Sequence, residues 1–146
     1  MEQLRSLSSQ FFSPIACGYH YLSMARSNYR SYLQGERVRL KKYLYVLRPI
    51  LAVQWIERGL GPVPTEFHVL VAQLVDDARL TGEIEALVAQ KRRSLEADEG
   101  ETIPRLNRFI EQELERLEQS CFARLQAVPD PAPLNQFFQL QVAGVR

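Results

Sequence analysis

Glu36-Arg37-Val38-Arg39-Leu40-Lys41-Lys42-Tyr43-Leu44-Tyr45-Val46-Leu47-Arg48-Pro49-Ile50-Leu51-Ala52-Val53-Gln54-Trp55-Ile56-Glu57-Arg58 is the stretch that decides the fold. Taken as a helix at about 100° per residue from Arg37, it places Leu40, Leu44, Leu47 and Leu51 between about 280° and about 340°. Tyr43 and Ile50 extend that apolar sector to about 220°, wide enough to pack against more than one neighbour. The stretch therefore reads as a central helix from about Glu36 to Arg58. Pro49 interrupts it, because proline removes the amide that would bond the carbonyl of Tyr45 and its ring presses on that turn. A kink is expected there, or a division into two shorter helices.

On the N-terminal side, Ser13-Pro14 opens a helical pattern that runs to about Gln34. Ile15, Tyr19, Leu22, Tyr29 and Leu33 fall on one face of it. Such a helix is ~30 Å long. Gly35 supplies a break, so the first two helices should pack antiparallel. On the other side, Gly59-Leu60-Gly61-Pro62-Val63-Pro64 is a loop. Thr65 is placed to cap a third helix through about Asp76, with Phe67, Leu70, Val71 and Leu74 as its apolar set. Asp77 to Leu80 reads as a turn. Thr81 then caps a fourth helix, with Glu83 and Glu85 early and Lys91-Arg92-Arg93 late, matching the helix dipole.

Residues 96–101 read as a solvated turn. A fifth helix from Pro104 to about Gln126 carries Leu106, Ile110, Leu114, Leu117, Cys121 and Leu125 at steps of three and four. Pro129, Pro131 and Pro133 exclude regular structure before a short terminal helix, Leu134 to about Gln141. No long alternating strand pattern and no internal repeat occurs. The expected fold is all-α, an irregular bundle of five or six helices. Its parts are an N-terminal lead-in (1–12), a helical bundle domain (13–128) and a proline-rich break with a short C-terminal helix (129–146).

The whole chain has 146 residues, 46% hydrophobic and 24% charged, which suits one folded domain with a core. Its net charge of +1 says little, but the distribution is uneven. Residues 1–50 carry eight basic and two acidic groups, net +6; residues 51–146 carry ten basic and fifteen acidic, net −5. An anionic partner is drawn to the first half. Two cysteines cannot form a disulfide framework, and the apolar run Ile50–Ile56 is too short to span a membrane. The expectation is a soluble cytoplasmic domain with no membrane partner.

Catalytic signatures are sparse. His20 and His68 belong to no metal-binding pattern. Cys17 lies three residues before His20, which permits a Cys/His contact on one helix face, with ordinary packing the plainer alternative. Cys121 reads as a buried small hydrophobe. Asp76 and Asp77 are adjacent and do not share a face, and there is no glycine-rich phosphate loop. The positive signal lies beside the leucine seam. Arg37, Arg48, Lys41 and Tyr45 follow one another around the helix in that order, within a single narrow sector, and Trp55 returns to the direction of Arg37. Arg26 and Arg30 form an i, i+4 pair upstream. Cations beside aromatic rings suit phosphate, nucleotide or RNA contact. The alternative is solvated groups whose stems cover apolar surface. Arg39 and Lys42 fall outside that sector, towards a second surface or acidic partners in the Asp76–Glu101 region.

Two stretches carry a family resemblance: His20-Tyr21-Leu22-Ser23-Met24-Ala25-Arg26-Ser27-Asn28-Tyr29-Arg30 and Arg39-Leu40-Lys41-Lys42-Tyr43-Leu44-Tyr45-Val46-Leu47-Arg48-Pro49. With Trp55-Ile56 and Pro64-Thr65-Glu66-Phe67, they resemble the C-terminal helical region of predicted nucleotidyltransferases of the DNA polymerase β superfamily, the group with RNA-ligase-associated members. The resemblance covers most of residues 13–140. In that family an α/β head carries a Gly-Ser pair and spaced metal-binding aspartates. This chain has no Gly-Ser pair and no Asp-x-Asp; its aspartates are Asp76, Asp77, Asp98 and Asp130.

The resemblance therefore implies a non-catalytic nucleotide- or RNA-positioning domain. It would be a fragment or head-less homologue, or one subunit of a split metal-dependent nucleotidyltransferase. Mg2+ and a nucleoside triphosphate are expected only with the catalytic head, and no cofactor in this chain. Arg26, Arg30, Arg37, Lys41, Lys42, Tyr45 and Arg48 carry over as a nucleotide- or RNA-facing wall, with no catalytic and no metal residue. The alternative is a protein-interaction or homo-oligomerisation module, for which Phe11, Phe12, Trp55, Phe137 and Phe138 are the candidate contacts.

Overall fold

The computed structural model describes residues 14–93 and 98–120. The lead-in with Phe11 and Phe12, Cys121, Leu125, the proline-rich break and the terminal helix with Phe137 and Phe138 lie outside the described residues. Within them are five helices and one small two-stranded ribbon, so the chain is mainly α. In order these are α1 (Pro14–Tyr32), β1 (Arg37–Arg39), α2 (Lys42–Glu57), α3 (Phe67–Leu74), α4 (Ala78–Arg93), β2 (Glu99–Glu101) and α5 (Pro104–Ser120).

The central helix is apolar nearly all round, and it packs accordingly. Tyr43, Val46, Leu47, Ile50, Leu51 and Val53 are fully buried. α2 touches every other helix and β1. It starts at Lys42, later than the leucine seam suggests. The reason is local: Arg37-Val38-Arg39 alternates, burying Val38 and exposing both arginines. It pairs antiparallel with β2, Arg37 opposite Glu101, Val38 opposite Gly100 and Arg39 opposite Glu99. Two opposite-charge pairs across the ribbon favour that register. The expected solvated turn at 96–101 thus contains a strand, and Arg37 and Lys41 do not share a helical face with Arg48.

Pro49 does not divide α2, which is one helix across it. The side-chain amide of Asn28 on α1 donates to the Tyr45 carbonyl at 3.0 Å, in place of the missing helical amide. At its C-terminal end, the amide of Gly59 donates to Ile56 and that of Leu60 to Trp55, with Gly59 at φ 66°. That is a Schellman ending, which favours glycine at this position.

Side-chain pairs set the helix directions. Along α2 and α5, Tyr43 bonds Asn107, Gln54 bonds Glu113 and Glu57 pairs with Arg116, so the two helices run the same way. Between α1 and α5, Tyr29 bonds Glu111 and Arg26 pairs with Glu118, the opposite sense. α1 is therefore antiparallel to both. Its buried face is Gly18, Leu22 and Ala25, continued by Leu33 just past the helix. Tyr19 lies about 60° from Leu22 and is 55% exposed, outside the face expected for it.

Two caps differ from expectation. α3 begins at Phe67, and the preceding Glu66 makes no side-chain cap bond. α4 begins at Ala78 because the Asp77 carboxylate accepts from the amides of Arg79 (2.8 Å) and Leu80 (3.3 Å). Asp77, not Thr81, ends the turn, and those two amides hold its carboxyl below the ordinary value. No helix among the described residues is long and apolar enough to cross a membrane.

Candidate functional site

Tyr45 and Arg48 stand three residues apart on α2, so they project to the same side. The last turn of α4 brings Lys91 and Arg92 opposite them. Together with Leu44, Phe67 and Val88, these residues line a cavity of about 360 Å³. Among the described residues, none that lines it is acidic, so three cations converge on one small volume and favour an anion there. A second cavity of about 540 Å³ lies between α3 and α4 and shares Phe67, Val88 and Arg92 with the first. Its wall is mostly apolar, including Val71, Ala72 and Ile84, with His68, Thr81 and Glu85 at polar positions.

Local bonds fix the cationic rim. The Arg48 guanidinium donates to the Thr65 carbonyl at 2.5 Å, tying α2 to the chain before α3. Glu66 nearby is exposed, and its carboxyl is held below the ordinary value chiefly by its own amide, then by the Thr65 hydroxyl, His68 and Arg48. Lys42, one turn before Tyr45, places its ammonium 4.7 Å from the Tyr45 ring centre and 4.0 Å from that of Tyr32. Both rings stay well exposed, Tyr32 at 43% and Tyr45 at 40%.

Of the residues singled out from the sequence, Lys42, Tyr45 and Arg48 come together. The others are placed elsewhere. Arg26 pairs with Glu118 at 2.6 Å. Arg37 donates to the Glu99 carbonyl at 3.3 Å on the ribbon. Arg30 is exposed near the end of α1. Lys41 is the N-cap residue of α2, its carbonyl accepting from the Leu44 amide. Part of the charge asymmetry is thus met internally: Glu118 pairs with Arg26, and Glu101 and Glu99 stand opposite Arg37 and Arg39 in the ribbon.

Lys91 and Arg92 were legible only as dipole-complementing residues of a helix end. Three successive basic residues were the available signal; what was missing was the fold of α4 across α2. Trp55 is half-buried against the core, with its indole nitrogen buried and unpartnered. His20 is exposed and its ring lies 5.8 Å from that of Tyr21.

Among the described residues, no group of three or more His, Cys, Asp or Glu is placed to hold a metal ion. With no Asp-x-Asp in the sequence, these residues do not fit the two-metal chemistry of a nucleotidyltransferase head.

The structure is thus a helical bundle with a cationic, aromatic-edged groove, and comparison gives its family. The chain belongs to the RNA repair pathway DNA polymerase beta family (RlaP), which it matches over residues 1–140. It is 49% identical over 116 residues to YcgL of Bacillus subtilis (strain 168), a protein described as uncharacterized. That match covers 80% of this chain and 45% of YcgL, so the matched stretch spans less than half the length of this curated relative. No solved structure matches the chain.

Proposed function

We propose that the chain is a non-catalytic helical module of a nucleotidyltransferase system, presenting nucleotide or RNA to a catalytic head carried on another stretch of chain or another subunit. The observation that carries this is the convergence of Arg48, Lys91 and Arg92 beside Tyr45 at the mouth of an apolar groove. Guanidinium forks and an ammonium suit phosphate oxygens, and the aromatic and aliphatic wall suits a base. Family membership supplies the chemical setting. The metal and the nucleoside triphosphate belong to the head in this proposal.

Titration of labelled RNA and of ATP against the chain at several salt concentrations tests it. Binding should weaken steeply with salt. Replacing Arg48, Lys91 and Arg92 together by Ala should remove binding while the far-ultraviolet circular dichroism is unchanged. No binding of either ligand at low salt, with or without a head protein present, refutes the role. Homo-oligomerisation has less support: of its five aromatic candidates the one described, Trp55, packs against the core.

A further inference from the structure

We propose that Tyr45 and Tyr32, joined through Lys42, form a stacking platform for successive unpaired bases, so that the module takes single-stranded RNA in preference to duplex. This rests on the nucleotide- or RNA-positioning role and names its substrate class. Three observations carry it. Both rings are exposed although they flank the junction of α1 and α2, where the apolar residues around them are buried. Both rings contact the same ammonium, at 4.0 and 4.7 Å, so they are close neighbours on the surface, within reach of adjacent bases on one strand. Tyr45 also lines the cationic cavity, so a strand whose phosphates meet Arg48, Lys91 and Arg92 passes directly over its ring.

The chemistry discriminates by strandedness. A tyrosine face stacks on any base that is free of its own neighbours, and a cation already lying on the ring adds attraction to the backbone. Bases of an A-form duplex are stacked internally, and their faces are closed to a side chain. The platform is also held in place before any ligand arrives. Asn28 fixes the main chain at Tyr45, and Lys42 fixes the two rings relative to each other. Less ordering is then required on binding.

Fluorescence anisotropy with the full chain and three labelled probes tests the proposal: a short unstructured RNA, the same sequence as a duplex, and an abasic strand of equal charge. The unpaired strand should bind roughly tenfold tighter than either control, one good stacking contact converted to affinity. Tyr32→Ala and Tyr45→Ala should each lose that advantage, so that the unpaired strand binds no tighter to the variant than the duplex and abasic probes do. Tyr32→Phe and Tyr45→Phe should retain it, because the ring and not the hydroxyl stacks. Equal affinity for all three probes overturns the platform while leaving the positioning role standing. So does an alanine variant that binds the unpaired strand like the parent chain. No binding of any probe at low salt refutes the positioning role itself, and the platform with it.

Discussion

The Asn28 side-chain amide donates to the main-chain carbonyl of Tyr45 at 3.0 Å, the acceptor that Pro49 leaves without its helical amide. One helix thus completes the hydrogen bonding of another. An α-helical carbonyl expects a donor four residues on, and Pro49 cannot be that donor. The bond links the two stretches, around Asn28 and around Pro49, that carry the family resemblance. It also anchors the turn from which Tyr45 reaches the cationic cavity.

Asn28→Ala should therefore cost about 1 kcal/mol of stability, the ordinary net worth of one such bond. In a Pro49→Ala background residue 49 regains an amide that can serve the Tyr45 carbonyl, and the same substitution should cost close to nothing. Urea denaturation of the four proteins of this cycle measures the coupling. Equal costs in both backgrounds would show that Asn28 stabilises by some other contact.

Tyr43 secures the opposite face of the same helix. Its ring is fully buried, its hydroxyl accepts from the Ile103 amide at 2.9 Å, and it donates to Asn107 at 2.6 Å. It serves an otherwise orphaned amide just before α5. Burial raises the Tyr43 phenol pKa. Tyr43→Phe should cost about 1–3 kcal/mol, because the Ile103 amide loses its partner away from water. Thermal melts of the variant at neutral pH read the loss directly, and an unchanged midpoint would contradict it.

Alkaline pH should loosen the contact between α1 and α5. Burial, then the bond and negative charge of Glu111, push the Tyr29 phenol up to about 12 from the ordinary 10.0. A phenol that holds its proton more tightly when folded stabilises fully below the unfolded value. That contribution falls as pH rises from about 10 towards about 12. Tyr29→Phe cannot titrate, so its stability should decline less steeply over that window. Denaturation midpoints across the window, compared between the two proteins, measure the difference.

Much of this architecture could be read from apolar spacing alone. The wide sector of α2 foretold a helix with several neighbours, and Gly59 foretold its end. The ribbon could not be read that way: Arg-Val-Arg is three residues long, and its partner Glu-Gly-Glu lies far downstream. Each is too short for alternation to outweigh a leucine seam continuing through Leu40. That single displacement moved Arg37 and Lys41 off the helical face assumed to unite them with Arg48. The cap of α4 was missed for a related reason, since Asp77 and Thr81 are both competent caps and only the geometry of the turn chooses between them. Tyr45 and Arg48 sit one turn apart on one helix, so their proximity was legible, whereas Lys42, which falls outside their sector by helical phase, reaches Tyr45 through its long side chain. Lys91 and Arg92 join them only through tertiary packing.

The cations of the groove and those of the ribbon can be separated by salt dependence. Each phosphate contact to a single strand contributes about 0.7 to the slope of log affinity against log salt. Replacing Arg48, Lys91 and Arg92 by Ala should therefore lower that slope by about 2. The matching replacement of Arg37 and Arg39, which face Glu101 and Glu99 across the ribbon, should leave it nearly unchanged. Both variants remove exposed positive charge, so a merely diffuse attraction for RNA would reduce binding in each according to charge count. A slope that falls only with the first set assigns the phosphate contacts to the groove between α2 and α4. A slope that falls with the ribbon pair instead would move the interface to β1 and take Lys91 and Arg92 out of it.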